Sequence, residues 1–416
     1  LIILTDDQRA DGTLEAMPHT TRWFAKRGTR FVNAFATTPV CCPSRASFFT
    51  GKYAHNHAVR TNAPGQASNL DQATTIQRYL QDAGYSTAMV GKYLNGWPLD
   101  DAPPHFDLFA QCKCRYYFST YSVNGTTQGV YRYNTDFMAD QSVHFLETLE
   151  ETDKKPWFLF VATKAPHRPA TPERDYESAP VSDFDLNPSV LESDREDKPA
   201  YVQDDQLQID KAAKVRRKQL RSLMSVDDLV NEIFTAMGEM GERRKTLAFF
   251  ASDNGVMWEE HGVSGKGVPY TPAVKIPLLM RWPRHVARGL EDERLAANID
   301  VAPTVMHATR ISVNAPMDGM SLLRSRSRDR LLIEMFGSER RPDLKWASTV
   351  STDYQYVEYF AGDATEPTLH EYYDMRNDPW QLLNLFGDSS LDNDPSVTPL
   401  TSQLEADMTC RGSLCP

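Results

Sequence analysis

Asp6-Asp7, Lys92, His167 and Asp253-Asn254 each stand just beyond the end of a short run of apolar residues. Carboxylates hold cations, lysine neutralises anions, and histidine exchanges protons near neutral pH. An Asp-Asp pair or an Asp-Asn-Gly triplet, taken alone, reads as a turn or a helix cap. Two acidic dyads in equivalent places are harder to read that way. Three carboxylates and one amide oxygen make a hard-oxygen donor set that suits Ca²⁺, and suits Mg²⁺ less because Mg²⁺ keeps more of its water. A denser group is Cys41-Cys42-Pro43-Ser44-Arg45-Ala46-Ser47-Phe48-Phe49-Thr50-Gly51-Lys52. By composition alone it is a loop with two buried thiols that opens a short helix, since Pro and Ser suit helix starts.

The apolar pattern predicts the elements that must position these groups. Residues 2–4 end at Thr5-Asp6-Asp7, and residues 85–90 end at Gly91-Lys92. Residues 157–162 run into Thr163-Lys164-Ala165-Pro166-His167, and residues 246–251 into Ser252-Asp253-Asn254-Gly255. Each run reads as a strand. Segments 18–27, 74–83 and 215–240 repeat their apolar residues at helical spacing, the first two closed by Gly28 and Gly84. Such alternation predicts an α/β sheet, and ligands of open α/β sheets bind beyond the carboxyl ends of the strands. The chemically interesting groups are therefore expected to converge. Residues 170–210, rich in Pro, Asp and Glu, read as a long surface excursion beside a substrate opening. Later runs at 330–336, 347–360 and 369–375 predict a smaller antiparallel domain, dividing the chain into 1–325 and 326–416.

Composition narrows the class. The 416 residues hold 45 Lys plus Arg against 56 Asp plus Glu, a net charge of −11. That acidity argues against nucleic acid as a partner, because such binding needs a basic face. An anionic substrate must then be held by local cations or a metal. With 41% apolar and 24% charged residues the chain has the balance of a soluble protein with a sizeable core. No stretch approaches the roughly 18 consecutive apolar residues of a membrane span. Cys410 and Cys415 close a small loop that reads as a disulfide and favours an oxidising compartment. Asn124-Gly125-Thr126 fits the N-glycosylation pattern, but one match in a chain this long is close to chance. Leu1-Ile2-Ile3-Leu4 looks like a strand rather than a signal peptide, so an export signal is expected outside this sequence.

The order of residues adds a resemblance. Cys41-Cys42-Pro43-Ser44-Arg45, followed by four residues and Thr50-Gly51, resembles the signature of the type I sulfatase family, with Cys42 in its variable position. Leu4-Thr5-Asp6-Asp7, Gly91-Lys92, Ala165-Pro166-His167 and Ser252-Asp253-Asn254-Gly255 follow in the family's order. His261-Gly262, Gly265-Lys266, Tyr270 and Ile276-Pro277-Leu278 are similar to its downstream block. Glu371-Tyr372-Tyr373-Asp374, with Asp378-Pro379 and Asn384-Leu385, is similar to its closing motif. Gly91-Lys92-Tyr93-Leu94-Asn95, Ser225–Val230 and the double cysteine look most like the N-acetylglucosamine-6-sulfatase branch. Two positions depart: Leu94 stands where many arylsulfatases have His, and Thr271 where Glu is common.

The resemblance implies an alkaline-phosphatase-like large mixed sheet flanked by helices, with a smaller C-terminal antiparallel sheet. It implies that a separate formylglycine-generating enzyme converts Cys41 to Cα-formylglycine, and that Asp6, Asp7, Asp253, Asn254 and residue 41 hold Ca²⁺. One hydroxyl of the hydrated aldehyde would attack sulfur, and the second would then expel sulfate. Arg45 would stabilise that hydrate, while Lys92, His167 and Lys266 contact the sulfate or protonate the leaving oxygen. Lys52, Asn95 and His261 are implied substrate contacts, with Asn95 standing in for the missing histidine. Asp253→Ala is expected to abolish turnover with the fold largely intact. A sulfated carbohydrate is the implied substrate, a 6-sulfated hexosamine first, in a secreted, periplasmic or lysosomal protein. Alternatives are a phosphate mono- or diester hydrolase on the same scaffold, or a silent carbohydrate-binding protein should Cys41 stay unmodified.

Overall fold

In the computed structural model, which describes residues 1–416 apart from 152–154, 204–206, 339–340, 363 and 365, the apolar runs pair side by side. Among the described residues a ten-stranded mixed sheet has the spatial order Leu290–Ala297, Thr29–Phe35, Leu278–Arg281, Ala248–Ser252, Ile2–Asp6, Trp157–Pro166, Ser86–Gly91, Leu108–Lys113, Ser119–Val123, Thr126–Val130. The central strands Ala248–Ser252, Ile2–Asp6, Trp157–Pro166 and Ser86–Gly91 are mutually parallel neighbours. Their carboxyl ends therefore lie in one row, and each carries one of the chemically interesting groups.

Both faces of this sheet are covered, which explains why its central strands are built around near-continuous apolar runs rather than alternation. Ile2 and Leu4 pack with Phe48, Phe49, Leu80 and Val301, from helices Cys41–Thr50, Ile76–Asp82 and Val301–Thr309. Leu1 and Ile3 face the other way, against Phe137 and Met138 of helix Asn134–Glu150 and Leu223, Val226 and Val230 of helix Ile209–Glu239. A second, four-stranded antiparallel sheet runs Leu331–Phe336, Lys345–Val350, Tyr354–Phe360, Leu369–Asp374. Its core includes Tyr53 and Val274 from the first part of the chain, so the two sheets share buried surface.

Three sequence expectations change in detail. Segment 18–27 is not one regular helix: a single turn Pro18–Thr20 widens into a π-helix Thr21–Ala25, in which Lys26 N–H donates to Thr21 C=O at 2.9 Å. The wide turn stacks Trp23 on Phe234 at 5.2 Å. Run 347–360 is two strands, because Ser351-Thr352-Asp353 turns the chain and Ser351 N–H donates to Tyr354 C=O. Helix 215–240 starts earlier, at Ile209, and spans 31 residues.

Gly91 shows how tightly the site is held from below. Its φ is +103°, and a Cβ there would lie 2.1 Å from the carbonyl oxygen of Ala162 on the neighbouring strand. The Gly-Lys pair thus lets Lys92 leave the sheet beside the strand that carries His167. Gly91→Ala combines a disfavoured φ with a backbone clash, so it should destabilise the protein by about 2–4 kcal/mol in urea unfolding. A loss below about 0.5 kcal/mol would show that the strands part easily there.

Candidate active site

Cys41 occupies the first position of helix Cys41–Thr50, every residue of which is buried. The helix has no side-chain N-cap on Val40; instead Asn62 Oδ1 accepts from the Cys42 N–H at 2.9 Å, satisfying one of the donors a helix start leaves open. Asn298 Nδ2 donates to Ser44 Oγ at 2.9 Å, and the Ser44 hydroxyl donates to Asp253 C=O. At the far end Gly51 closes the helix at φ +66°, with Pro303 and Ala302 filling the space a Cβ would need. The signature residues thus fix both ends of a buried helix.

Around Cys41 the strand ends converge. Its Sγ lies 3.3 Å from Asp6 Oδ1 and accepts from Lys266 Nζ at 2.7 Å. Lys92 Nζ sits 2.5 Å from Asp6 Oδ2. Arg45 Nε donates to Asp253 Oδ2 at 2.9 Å, Nη1 to Lys92 C=O at 2.8 Å, and Nη2 lies 3.6 Å from Asp6. Asp7 pairs with Lys266, and His167 Nε2 is 3.7 Å from Asp7 Oδ2. Asp253 Oδ1 accepts from the Asp7 N–H at 3.1 Å, and Asn254 Nδ2 donates to Asp7 Oδ1 at 2.8 Å. Asp7 holds φ +65°, an uncommon backbone state of the kind that collects at functional sites.

The electrostatics follow from burial and this alternation of sign. Burial acts to raise Asp6, but Lys92, His167, Arg45 and Lys266 overcome it and hold the carboxyl well below the usual range. Burial likewise opposes ionisation of Asp7, and Lys266 and His167 still bring it down. Asp253 goes up instead, through burial and then its neighbour Asp6. Against burial, the nearby carboxylates, Asp7 foremost and then Asp6 and Asp253, keep Lys266 well above its ordinary value. Burial, then Asp253 and Asp6, push the Cys41 thiol up, so an unmodified cysteine here remains protonated and is a poor nucleophile.

His167 is held by its surroundings. Its Nδ1 lies 2.7 Å from Arg168 C=O, which makes Nδ1 the donor and leaves Nε2 facing Asp7. The Tyr116 hydroxyl donates to His167 C=O at 2.6 Å, and Gln219 Nε2 to Pro166 C=O at 3.2 Å. Two openings meet at this ring. One, of about 210 Å³, is lined by Asp7, Asn62, Arg168, Lys266 and Ser338. The other, of about 510 Å³, is lined by Lys92, Asn95, Lys113, Lys164 and the Cys112–Cys114 disulfide.

As for a metal, ligand atoms of Asp6, Asp7, Cys41 and His167 lie within 4.8 Å of one another. Asp253 and Asn254 adjoin that group through Asp7. Carboxylate and amide oxygens are the donors that hard divalent cations take, so the residues present fit such an ion. Buried Arg45 Nη2 has no hydrogen-bond partner among the described residues, leaving a donor aimed into the same space.

The structure gathers Asp6, Asp7, Cys41, Arg45, Lys92, His167, Asp253, Asn254 and Lys266 into one centre, and places Asn95 on an adjoining cavity wall with its Oδ1 buried and without a partner among the described residues. Lys52 and His261 are corrections to the sequence reading. Lys52 follows the C-terminal cap of the signature helix, about 15 Å along its axis from Cys41, with Nζ 3.4 Å from Thr74 Oγ1. His261 is buried, its Nδ1 2.6 Å from Glu192 and its ring 4.4 Å from that of Tyr270. It ties down the excursion 170–210, of which 204–206 lie outside the described residues; no described residue of 171–210 lines either opening. Sequence reading missed Asn62, Asn298 and Lys164. The first two carry no local signal, whereas Lys164 was visible as a charge inside an otherwise apolar strand.

Comparison with known proteins places this geometry. The family model "Sulfatase" matches residues 1–311, and "N-sulphoglucosamine sulphohydrolase, C-terminal" matches residues 259–409. The chain is 31% identical over 400 residues to the human N-acetylglucosamine-6-sulfatase, covering 89% of this chain and 69% of that protein. It is 32% identical over 349 residues to the Drosophila melanogaster extracellular sulfatase SULF-1 homolog, covering 78% of this chain. The chain spans 31% of the Drosophila protein's length and 48% of that of a Caenorhabditis elegans counterpart. Among solved structures, BT4656 in complex with its substrate D-glucosamine-2-N,6-O-disulfate superposes with a TM-score of 0.82 at 21% identity, covering 97% of this chain and 95% of that one.

Proposed function

This chain belongs to the sulfatase family, and from that membership we propose that it hydrolyses the sulfate ester of a sugar, with a terminal 6-sulfated hexosamine as first substrate. The observation that carries the reading is Cys41 at the head of the signature helix, with Sγ between Asp6 and Lys266. The hexosamine is supported by the N-acetylglucosamine-6-sulfatase relative and by the glucosamine disulfate bound to the structural neighbour. The catalytic part is residues 1–325. The part from 326 onward supports the Lys266 loop, where Trp346 Nε1 donates to Gly267 C=O at 3.1 Å.

When present, formylglycine at residue 41 supplies a hydrated aldehyde as nucleophile, and Ca²⁺ on Asp6, Asp7, Asp253 and Asn254 supplies the charge that polarises the ester. Everything else falls to this chain's side chains. A sulfate ester repels nucleophiles because its oxygens are negative, so fixed cations must oppose that charge where it grows. Lys92 and Lys266 line the two openings beside residue 41 and hold their charge there. Arg45, anchored to Asp253, faces Asp6 and orients the base of the site. His167, with Nδ1–H committed to Arg168, presents Nε2 as the atom that holds the proton for the departing alcohol. Maturation would take a formylglycine-generating enzyme. Two disulfides and the extracellular relatives support an exported location. No helix among the described residues is long and apolar enough to cross a membrane.

Metal binding has its own readout. Because Ca²⁺ would bind the folded state, saturating the protein at about 100 times Kd should add about 2.7 kcal/mol of stability, seen as a rise in Tm that a chelator reverses. An unchanged Tm across the titration would remove the metal from this site. For the substrate, kcat/KM should be at least about 100-fold higher for N-acetylglucosamine 6-sulfate than for galactose 6-sulfate, a 2-sulfated uronate or an aryl sulfate. Preference for the uronate or aryl ester would remove the hexosamine. Faster cleavage of N-acetylglucosamine 6-phosphate would replace the sulfatase reading with a phosphatase one, and absence of turnover would favour the silent carbohydrate-binding reading.

A further inference from the structure

The larger cavity beside His167 contains more positive charge than one sulfate ester requires. Its carboxylate, Asp6, is already engaged by Lys92 at 2.5 Å. Lys113 and Lys164 also line it, and among the described residues neither side-chain ammonium has a hydrogen bond or an ion pair. Lys164 is half-buried, with its ammonium 5.8 Å from the centre of the Tyr116 ring. Tyr116 in turn holds the His167 carbonyl, so the lysine and the histidine share a support. Lys113 lies between the disulfide-bonded Cys112 and Cys114 at the end of strand Leu108–Lys113, which fixes its backbone at the rim. Asn95 adds to the same wall a buried Oδ1 without a partner among the described residues, an acceptor for a sugar hydroxyl or N–H rather than for the anion. Asp6 and Asp7 lie within electrostatic reach of Lys164 but are engaged by Lys92 and Lys266, and a half-buried ammonium without a carboxylate in ion-pair contact is costly unless a ligand supplies the anion.

We propose that this cavity is a second anion site, in which Lys164 and Lys113 bind a further sulfate or carboxylate on the same sugar substrate while the scissile sulfate lies at residue 41. The inference rests on the sulfated-sugar reading and sharpens it: the preferred substrate carries at least two negative groups. Lys164 is the specificity determinant, since it lies deeper and is oriented by Tyr116. Lys113 contributes at the rim.

The test compares wild type, Lys164→Met and Lys164→Arg on four substrates: glucosamine 6-sulfate, glucosamine 2-N,6-O-disulfate, a 6-sulfated glucosamine linked to a uronate, and an aryl sulfate. One charge-assisted contact corresponds to a factor of about 10–100 in kcat/KM. Wild type should prefer a doubly anionic sugar to the monosulfate by about that factor. Lys164→Met should lose at least about tenfold more on that sugar than on the monosulfate, chiefly through KM, and Lys164→Arg should restore the difference. The preference should also shrink as salt rises. Which doubly anionic sugar leads separates a sulfate from a carboxylate as the second group. Equal turnover of mono- and doubly anionic sugars by wild type, or equal losses on both in Lys164→Met, would overturn the second site and leave the sulfatase reading intact. Turnover of the aryl sulfate alone would instead overturn the sugar reading, and this inference with it.

Discussion

Cys41→Ala is expected to lower sulfate release by about 10⁴-fold or more, whereas Cys42→Ala should stay within about tenfold of wild type. The two thiols are adjacent and both buried, yet their surroundings differ. Cys41 Sγ faces Asp6 and Lys266. Cys42 packs in the core beneath the sheet, with Sγ 3.7 Å from Asn95 C=O, so its loss should cost about 1–2 kcal/mol of stability and little chemistry. Cys41→Ser sharpens the comparison. A serine has one hydroxyl where the hydrated aldehyde has two, so transferred sulfate should remain on the protein after one turnover. Full activity in Cys41→Ala, or its loss in Cys42→Ala alone, would move the nucleophile by one residue.

Asp253→Ala should fail twice. One oxygen of this carboxylate accepts from Asp7 N–H and the other from Arg45 Nε, and Arg45 is fully buried. Removing it leaves a buried guanidinium with the Lys92 carbonyl and, as its one remaining nearby carboxylate among the described residues, Asp6 at 3.6 Å, which should destabilise the fold by about 3–5 kcal/mol. Turnover should fall by about 10³-fold or more in protein that remains folded, through lost alignment of Asp7 and Arg45. The sequence alone predicts a catalytic loss with the fold intact. The structure corrects this, because the residue is a structural counter-ion as well as a site residue. Asp253→Asn keeps an acceptor for Asp7 N–H, so its stability should fall between alanine and wild type in urea unfolding. Wild-type stability in Asp253→Ala would contradict this dual role.

What could be read from the sequence depended on whether a residue's neighbours lie in the same element. Asp6, Lys92, His167 and Asp253 each end a run of apolar residues, and parallel pairing of those runs forces the ends together. The sulfatase resemblance supplied Lys266, whose loop the apolar pattern did not place. The same spacing misplaces Lys52, because a ten-residue helix carries it away from Cys41. His261 fails for another reason: its partner Glu192 comes from an excursion with weak periodicity. Asn62 and Asn298 support the signature helix from positions 20 and more than 250 residues away in sequence, beyond the reach of any local pattern.

The account stands most directly on the chemical state of residue 41, which mass spectrometry of the peptide spanning Cys41 can read in the same sample that is assayed. In active protein that peptide should be lighter than the encoded one by one sulfur and two hydrogens, offset by one oxygen, the difference between a thiol and an aldehyde. Ordinary oxidation of cysteine would instead make it heavier. A sample that hydrolyses sulfate esters at full rate with an intact Cys41 thiol would contradict the account.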